Sequence, residues 1–239
     1  MSIWDRLGDF IARISASAAN GVADVVEAVR TVFSGDAETR RRVAFSVAMI
    51  ALSAKMAKAD GVVSQAEVRA FYEIFAVPPE HARDVARLYD IAQQDVAGFE
   101  FYAERMAKLC GSGHTNCGML EDILDGLFHI AKADGMMHQC EGSFLHRVSE
   151  IFRIDEVHYQ TIVARHLDLG DTDPYRVLGI ERGKPFEDVR KHYRKLVASN
   201  HPDKLIARGL PEEFIRIATT RIAAINAAYE MIERGLRHA

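Results

Sequence analysis

Cysteine is scarce in this sequence, with three residues, Cys110, Cys117 and Cys140, among 239. An odd and low count argues against a disulfide framework and is typical of a reducing compartment. No uninterrupted apolar run reaches the roughly 18 residues that a membrane-spanning helix requires. The N-terminus also lacks a basic cluster followed by an apolar core, which a secretory signal would have. We therefore expect a cytoplasmic protein.

Sequence signatures of catalysis are also missing. The chain has no nucleophile elbow, no phosphate-binding loop and no metal-hydrolase pair, so an enzyme is not expected. The net charge of −4 is unevenly spread, because residues 171–239 carry 13 basic and 10 acidic side chains and residues 1–170 carry 17 and 24. This asymmetry predicts two domains with different partners. The C-terminal part is only mildly basic and has little aromatic interleaving, so nucleic acid is not an expected partner.

The middle of the chain contains an internal repeat. Residues 57–67, AKADGVVSQAE, match residues 131–141, AKADGMMHQCE, at seven of eleven positions. Gly61 and Gly135 are placed to take the left-handed conformation that ends a helix, so each copy predicts a helix, an Asp-Gly turn and a second helix. A two-copy repeat is typical of an internally pseudo-symmetric bundle, and we expect about seven helices over residues 39–167.

Paired carboxylates lie near both turns of the repeat. They are Asp60 and Glu67 in the first copy and Asp134 and Glu141 in the second. Hard divalent cations prefer carboxylate oxygens, so a metal site at these residues is one hypothesis. The alternative is structural, because each aspartate can cap its turn and each glutamate its helix. Apart from such a metal, no cofactor is expected.

A second metal hypothesis involves Cys110, His114 and Cys117, which surround a glycine-rich loop, with His138 and Cys140 further on. Zinc binds cysteine and histidine side chains, but this spacing matches no standard zinc finger or ribbon. Free cysteines most often pack as small buried hydrophobic residues, and we prefer that interpretation.

The first 38 residues form an amphipathic segment. Apolar residues recur from Ile3 to Ile14 and again from Val22 to Phe33. They predict packing on the bundle or self-association into a homo-oligomer. The alternative is an interfacial helix that makes a peripheral contact with the inner membrane surface, although the polar face is not rich in Lys and Arg.

The tripeptide His201-Pro202-Asp203 lies between two helical patterns near the C-terminus. Pro202 fixes its own φ and disfavours the α region for His201, so the preceding helix is expected to end here. A loop is expected from Lys204 to Pro211. The flanking helices carry apolar stripes at helical spacing, formed by Phe186, Val189, Tyr193, Leu196 and Val197 upstream and by Phe214, Ala218, Ile222, Ile225, Tyr229 and Ile232 downstream. Two such helices with opposed apolar faces predict an antiparallel helical hairpin.

Four basic side chains share the other side of the upstream helix. Arg190 and Arg194, and likewise Lys191 and Lys195, are four residues apart and therefore stack as adjacent pairs. Like charges in this arrangement repel, so the face is either solvated or awaits an acidic partner.

These features, in this order, resemble a J domain, the co-chaperone module that drives ATP hydrolysis by DnaK-type chaperones. The resemblance rests on DPYRVLGI at 173–180, the basic helix, the His-Pro-Asp triplet with Lys204, and INAAYE at 225–230. The paired Lys-Ala-Asp-Gly pattern resembles TerB-like domains, and a TerB-like domain followed by a C-terminal J domain is the arrangement of the DjlA family of bacterial co-chaperones. That family carries an N-terminal transmembrane anchor, which we do not expect here. The Gly/Phe-rich linker and the Cys-x-x-Cys zinc region of full DnaJ are also not found.

The resemblance implies an all-α fold in four parts. They are the amphipathic segment 1–38, a TerB-like helical bundle with the internal two-fold repeat at 39–167, a linker at 168–172 and a J domain built on a helical hairpin at 173–239.

The resemblance also implies partners and contact residues. The loop of His201, Pro202 and Asp203 would contact the nucleotide-binding lobe of a DnaK-type chaperone and its interdomain linker. An acidic surface there would be met by Arg190, Lys191, Arg194, Lys195 and Lys204. The TerB-like domain would recruit an unknown client or partner. The alternative function is a metal- or stress-responsive TerB-like sensor or adaptor with the J domain as a tether, which the intact triplet disfavours because a tether does not need it.

Overall fold

The computed structural model describes residues 4, 5, 8, 37–60, 65–75, 77–94, 98–110, 114–133, 135, 137–167, 172–207, 211 and 215–237. The regular secondary structure in this part of the chain is helical, with no strand. The predicted all-α fold class is confirmed.

Seven α-helices lie within the described residues between 37 and 166. They are α1 Ala37–Asp60, α2 Gln65–Phe75, α3 Ala82–Gln94, α4 Phe99–Ala107, α5 Gly118–Ala131, α6 Gln139–Ile151 and α7 Glu156–His166. Short 3₁₀ helices, Pro79–His81 and Lys108–Cys110, precede α3 and follow α4. The number agrees with the bundle of about seven helices expected for this region.

Helix α1 is the central element of the bundle and packs against α3, α4, α5 and α6. Its side chains Phe45, Met49 and Leu52 are fully buried. A helix that is apolar on all sides is buried on all sides, which explains why α1 has no solvent face along this stretch. Ser46, Ser53 and Lys55 are buried polar residues of this helix, and the Lys55 ammonium lies 5.2 Å from the centre of the Tyr102 ring, whose π face attracts the charge.

The internal repeat forms two equivalent helix pairs. The first copy spans the end of α1 and the start of α2, and the second spans the end of α5 and the start of α6. Gly135 has a φ of 94°, but α5 ends at Ala131 with Lys132 as its C-cap, so the prediction that this glycine ends the helix is wrong. Gly61 lies outside the described residues. Because α5 packs on both α1 and α2, the two copies share one core.

Four further helices follow the bundle. They are α8 Pro174–Leu178, α9 Phe186–Ser199, α10 Pro202–Ala207 and α11 Ile215–Arg237. Asp173 caps α8 by accepting the backbone N–H of Tyr175 at 3.0 Å. Gly179, with a φ of 66°, ends the same helix.

Helices α9 and α11 form the predicted antiparallel hairpin. The rings of Tyr193 and Tyr229 stack with centroids 4.0 Å apart, and the Tyr193 hydroxyl donates to Asn226 Oδ1 at 3.0 Å. The apolar stripes meet in a second buried cluster, whose fully enclosed members include Val177, Leu178, Val189, Ile225, Ala228 and Ile232. The upstream stripe and Ile225, Tyr229 and Ile232 of the downstream stripe pack in or against this cluster, as predicted. Ala218 belongs to the bundle cluster instead, and Phe214 lies outside the described residues.

The connection between the hairpin helices differs from the prediction. The expected loop from Lys204 is wrong over its first residues, because α10 occupies them. Proline lacks a backbone N–H and has a fixed φ, which suits the first position of a helix, so Pro202 both ends α9 and begins α10. Residues 208–210 and 212–214, which include the expected start of the next helix, lie outside the described residues.

Three residues of the amphipathic N-terminal segment are described. Trp4 is 2% exposed within the bundle core, and Asp5 Oδ1 lies 3.1 Å from Nε2 of His81. This point of the segment therefore packs on the bundle, as one of the two alternatives expects, while most of both apolar stripes falls outside the described residues. Among the helices that the structure describes, none has the length and hydropathy needed to cross a membrane.

The hairpin packs directly on the bundle. Helix α8 lies on α7, where Arg176 Nη2 donates to Gln160 Oε1 at 2.8 Å. Helix α11 crosses α5 at Gly126, where an added Cβ would lie 2.8 Å from Cδ1 of Ile217. The missing side chain thus allows a close approach of the two helices. Leu205 and Ile217 belong to the buried apolar cluster of the bundle, and Ala164 of α7 belongs to that of the hairpin, so each cluster contains side chains from both parts of the chain.

Candidate functional site

The residues of the His-Pro-Asp triplet lie at the surface, in the turn from α9 into α10. The side chains of His201 and Asp203 are 55% and 87% exposed, and His201 Nδ1 lies 3.5 Å from Asp203 Oδ2. The carbonyl oxygen of His201 accepts the backbone N–H groups of Lys204 and Leu205 at 2.9 and 3.1 Å. The first turn of α10 therefore fixes the backbone while both functional side chains remain open to a partner.

The predicted basic face lies on α9, directly before this turn. Arg190, Lys191, Arg194 and Lys195 are all exposed, and so is Lys204 after the triplet. Within the described part of the chain none of these five side chains forms an ion pair, so their mutual repulsion has no internal compensation. The eight residues of the predicted contact site thus lie along α9 and in the turn into α10, where seven are exposed and Pro202 is half-buried.

Beneath the triplet, Asn200 anchors the end of α9. It is 8% exposed, and its Nδ2 donates to the carbonyl oxygen of Leu196 at 2.9 Å. Its Oδ1 accepts from Nη1 of Arg221 at 2.9 Å. Both functions of the amide are therefore used, and the residue before His201 is held from below by α11.

Arg221 is the centre of a buried ion cluster that joins α11 to α5. Its Nη1 lies 2.7 Å from Asp122 Oδ1, and its Nη2 lies 3.0 Å from Asp125 Oδ2. The three side chains are at most 4% exposed. His166 of α7 contacts the other oxygen of Asp125, with Nε2 at 3.1 Å from Oδ1. A guanidinium presents a planar fork of donors, and here this fork serves two carboxylates and one amide.

The cluster shifts the pKa values of its members. Burial alone raises the pKa of Asp125, but the Arg221 charge and the hydrogen bond with His166 outweigh it and hold this pKa well below its ordinary value. Burial lowers the pKa of Arg221, but Asp125 and Asp122 together raise it above the ordinary value. Burial and the neighbouring Arg221 lower the pKa of Arg165 to about 10. At neutral pH the carboxylate of Asp125 and both guanidinium groups are charged.

This cluster was not predicted from the sequence, although a signal was present. Asp122 and Asp125 occupy core-facing positions of α5, between apolar residues such as Ile123 and Leu124. Arg221 likewise lies three residues after the buried Ala218 on α11. Charged residues in the register of an apolar face predict a buried pairing, but the sequence alone does not say which partners meet.

The predicted carboxylate metal site is largely outside the described residues. The side chains of Asp60, Glu67 and Asp134 are not described, so a metal at these positions stays a prediction. Glu141 is buried, and its Oε2 accepts the backbone N–H of His138 at 2.8 Å, which is the helix-capping role of the structural alternative. Within the described part of the chain no group of three or more His, Cys, Asp or Glu side chains is arranged to hold a metal ion.

The cysteines differ from the expectation. Cys110 and Cys117 are joined by a disulfide bond between the end of α4 and the start of α5, so the expectation that they are free is wrong. Their sulfur atoms are bonded to each other and are therefore not available as zinc ligands. The third residue of that hypothesis, His114, is exposed. Cys140 is free and also exposed rather than packed in the core. An odd count does not exclude one short-range pair, because two cysteines seven residues apart can meet across a single loop.

An apolar cavity of about 110 Å³ opens on the bundle far along the chain from the triplet. It lies between α1, α2 and α3, and Phe71, Tyr72 and Tyr89 form its aromatic wall. Val68 is exposed at its edge. A concave apolar site with few polar groups suits an apolar side chain of another protein better than a charged ligand.

Comparison with known proteins agrees with this architecture. Residues 46–164 match the family described as tellurite resistance protein TerB, and residues 173–235 match the DnaJ domain family. The two domains therefore occur in the order that the sequence motifs predicted. No solved structure matches the chain.

Curated relatives match different shares of the chain. It is 29% identical over 220 residues to the co-chaperone protein DjlA of Photobacterium profundum, which covers 81% of this chain and 78% of that protein. The protein of the same name from Coxiella burnetii is 28% identical over 204 residues, or 75% of this chain and 73% of that protein. The one from Shewanella oneidensis is 46% identical over 68 residues, or 28% of this chain and 26% of that protein.

Proposed function

We propose that this chain, which belongs to the DnaJ-type co-chaperones and carries a TerB domain before its J domain, stimulates ATP hydrolysis by a DnaK-type chaperone. The exposed side chains of His201 and Asp203 carry the proposal, because a rigid turn presents both to a partner beside an uncompensated basic face. Nothing inside the described chain uses these side chains beyond their contact with each other.

The basic face of α9 would steer the encounter. Exposed charges of one sign attract an acidic surface, orient the complex and raise the association rate more than the affinity. The contact is then weak and sensitive to salt, because solvent-exposed charges are screened within about 8 Å at physiological ionic strength. The triplet would act allosterically, since it can accelerate hydrolysis only by favouring the hydrolysis-competent state of the chaperone over its resting state.

The test is single-turnover ATP hydrolysis by a bacterial DnaK, with the wild-type chain and with His201→Gln. His146→Gln is the matched control, because His146 is an exposed histidine in the TerB domain. We expect acceleration by the wild type and by the control and loss of acceleration in His201→Gln. Equal activity of the two variants would contradict the proposal.

The basic face is tested by its salt dependence. We expect Arg194→Ala to raise the concentration that gives half-maximal stimulation and to flatten its dependence on salt. Arg234→Ala removes the same charge from the opposite end of the hairpin, where Arg234 is exposed and lies near Glu230. An equal effect of the two substitutions would assign the change to net charge and not to the α9 face.

We further propose that the TerB domain recruits the client or partner, with the apolar cavity beside Val68 as the contact. The substitution Val68→Glu places a charge at the cavity edge, and Val157→Glu is its control at an exposed valine of α7. The probe is an unfolded model protein, reduced and carboxymethylated lactalbumin, with binding measured by fluorescence anisotropy. We expect weaker binding only for Val68→Glu, and equal binding by both variants would exclude the cavity as the contact.

A further inference from the structure

The His-Pro-Asp triplet is anchored on both sides to structures that reach the TerB domain. Before it, Asn200 is bound by Arg221, whose guanidinium is held by Asp122 and Asp125 of α5. After it, Leu205 is fully buried in the apolar cluster of the bundle. Only the residues between these anchors project into solvent. A turn fixed at both ends by another domain has little freedom of its own.

The shared guanidinium makes the first anchor dependent on the TerB domain. Nη1 of Arg221 contacts Asp122 and Asn200 at the same time, at 2.7 and 2.9 Å. An arginine side chain has many rotamers, and a single neutral amide does not select one of them. The two carboxylates do so, because they accept from the fork at fixed angles. Without them, the contact with Asn200 has no fixed direction.

We propose that Arg221 is a positioning residue through which the TerB domain holds the His-Pro-Asp turn in the conformation that activates the chaperone. This inference rests on the proposed stimulation of a DnaK-type ATPase and adds how the TerB domain takes part in it. Helix α9, which carries the basic face, packs mainly on α8 and α11. The four basic side chains of this face are exposed and take no part in the cluster around Arg221. Loss of the cluster should therefore lower the maximal stimulation of the chaperone more than it weakens the binding of the two proteins.

The decisive variant replaces the three residues of the Arg221 ion pairs with apolar ones, Asp122→Leu, Asp125→Leu and Arg221→Met, in the full chain, and keeps His166 and Arg165. A buried ion cluster can often be exchanged for apolar residues without loss of the fold, whereas removal of one partner leaves a buried charge. This variant separates positioning from stability. Arg216→Met is the control, because Arg216 lies on the same helix and pairs with Glu73 at the surface.

Two measurements are made on each variant whose thermal unfolding stays cooperative. The first is amide hydrogen exchange over residues 200–207, which needs no partner. We expect faster exchange in the triple variant and no change in Arg216→Met. The second is single-turnover hydrolysis by DnaK across a range of variant concentrations. We expect the maximal stimulation to fall about tenfold, as when the active turn drops to about a tenth of the population, with a smaller change in the half-maximal concentration.

The outcomes distinguish this inference from the proposed function. Unchanged exchange in the triple variant overturns the anchoring, and faster exchange with full stimulation overturns its role in activation. If the wild type itself does not stimulate DnaK, the proposed function fails, and the exchange experiment still decides whether the TerB domain fixes the turn. If the triple variant does not fold, Asp122→Asn weakens the same anchor with little change of shape. Arg221→Lys keeps the charge but not the planar set of donors, so we expect it to retain only part of the stimulation.

Discussion

Removal of the Arg221 guanidinium is expected to destabilise the protein strongly. The substitution Arg221→Met keeps most of the apolar stem but leaves Asp122 and Asp125 buried without their cation. Breaking a buried pair in this way costs about 3–5 kcal/mol, a large part of the 5–15 kcal/mol by which a typical domain is stable. For a chain of this size we expect the melting temperature to fall by about 6–20 °C.

The matched control is Arg216→Met on the same helix. Arg216 is 64% exposed, with Nη1 at 3.6 Å from Glu73 Oε2 and at 3.1 Å from the backbone carbonyl oxygen of Glu73. Exposed contacts of this kind contribute at most about 1–2 kcal/mol. Urea denaturation at pH 7 gives both free energies of unfolding. A loss for Arg221→Met no larger than that for Arg216→Met would refute the assignment of a buried, paired charge.

The pH dependence identifies the cause of the loss. The pKa of Asp125 is depressed in the folded protein, so its contribution to stability is present above the unfolded pKa of about 3.9 and is lost as the pH falls towards the folded value. In Arg221→Met the cation that lowers this pKa most is absent, whereas burial still raises it and His166 and Arg165 still lower it. The pKa of Asp125 is therefore higher than in the wild type, and protonation relieves part of the penalty at a higher pH. The difference in the free energy of unfolding between the wild type and Arg221→Met should therefore become smaller as the pH falls from 7 to 4. A difference that does not change with pH would point to lost packing instead.

Three further predictions follow from local contacts. Asp155 caps α7, and its hydrogen bonds hold its pKa at about 2. Asp155→Ala should therefore lower the free energy of unfolding by about 1 kcal/mol at pH 7 and by less at pH 3, which urea denaturation at both pH values measures. Reduction of the bond between Cys110 and Cys117 should lower stability by about 2–3 kcal/mol, and an unchanged unfolding midpoint in dithiothreitol would contradict the bond. Fluorescence of the single tryptophan, Trp4, should report the same urea midpoint as hydrogen exchange in residues 186–199, because each buried cluster contains side chains from both domains. An earlier transition of the hairpin would show that the domains unfold independently.

The local patterns of the sequence predicted most of the fold. Apolar periodicity gave the hairpin, and the repeat around the two Asp-Gly turns predicted the paired helices, because both depend on spacing within one element. Proline can end the helix before it and can also begin the helix after it. Pro202 was interpreted only as the end of the preceding helix, so the helix that begins at Pro202 was not predicted. The tripeptide itself was visible because its three residues are adjacent in the chain.

The parts that could not be predicted depend on distant pairing. Asp122 and Arg221 are 99 residues apart, and nothing in either segment names the other as its partner. The same holds for Gly126, where an added Cβ would lie 2.7 Å from Cε of Met49 on α1 and 2.8 Å from Cδ1 of Ile217 on α11, because both neighbours are distant in the sequence. The disulfide was missed for a different reason, because composition was used to judge the whole set of cysteines instead of each pair.

Stability does not explain why the interface between the two domains contains charges. Apolar residues of similar volume would often hold two helices together at least as well as a buried ion cluster does. Apolar contacts, however, tolerate a shift of one helix along another, whereas a shift of α11 by one turn, about 5.4 Å, would leave Arg221, Asp122 and Asp125 buried and unpaired. The cluster therefore selects a single register of α11 on α5, and through Asn200 the same register determines where the His-Pro-Asp turn projects from the surface.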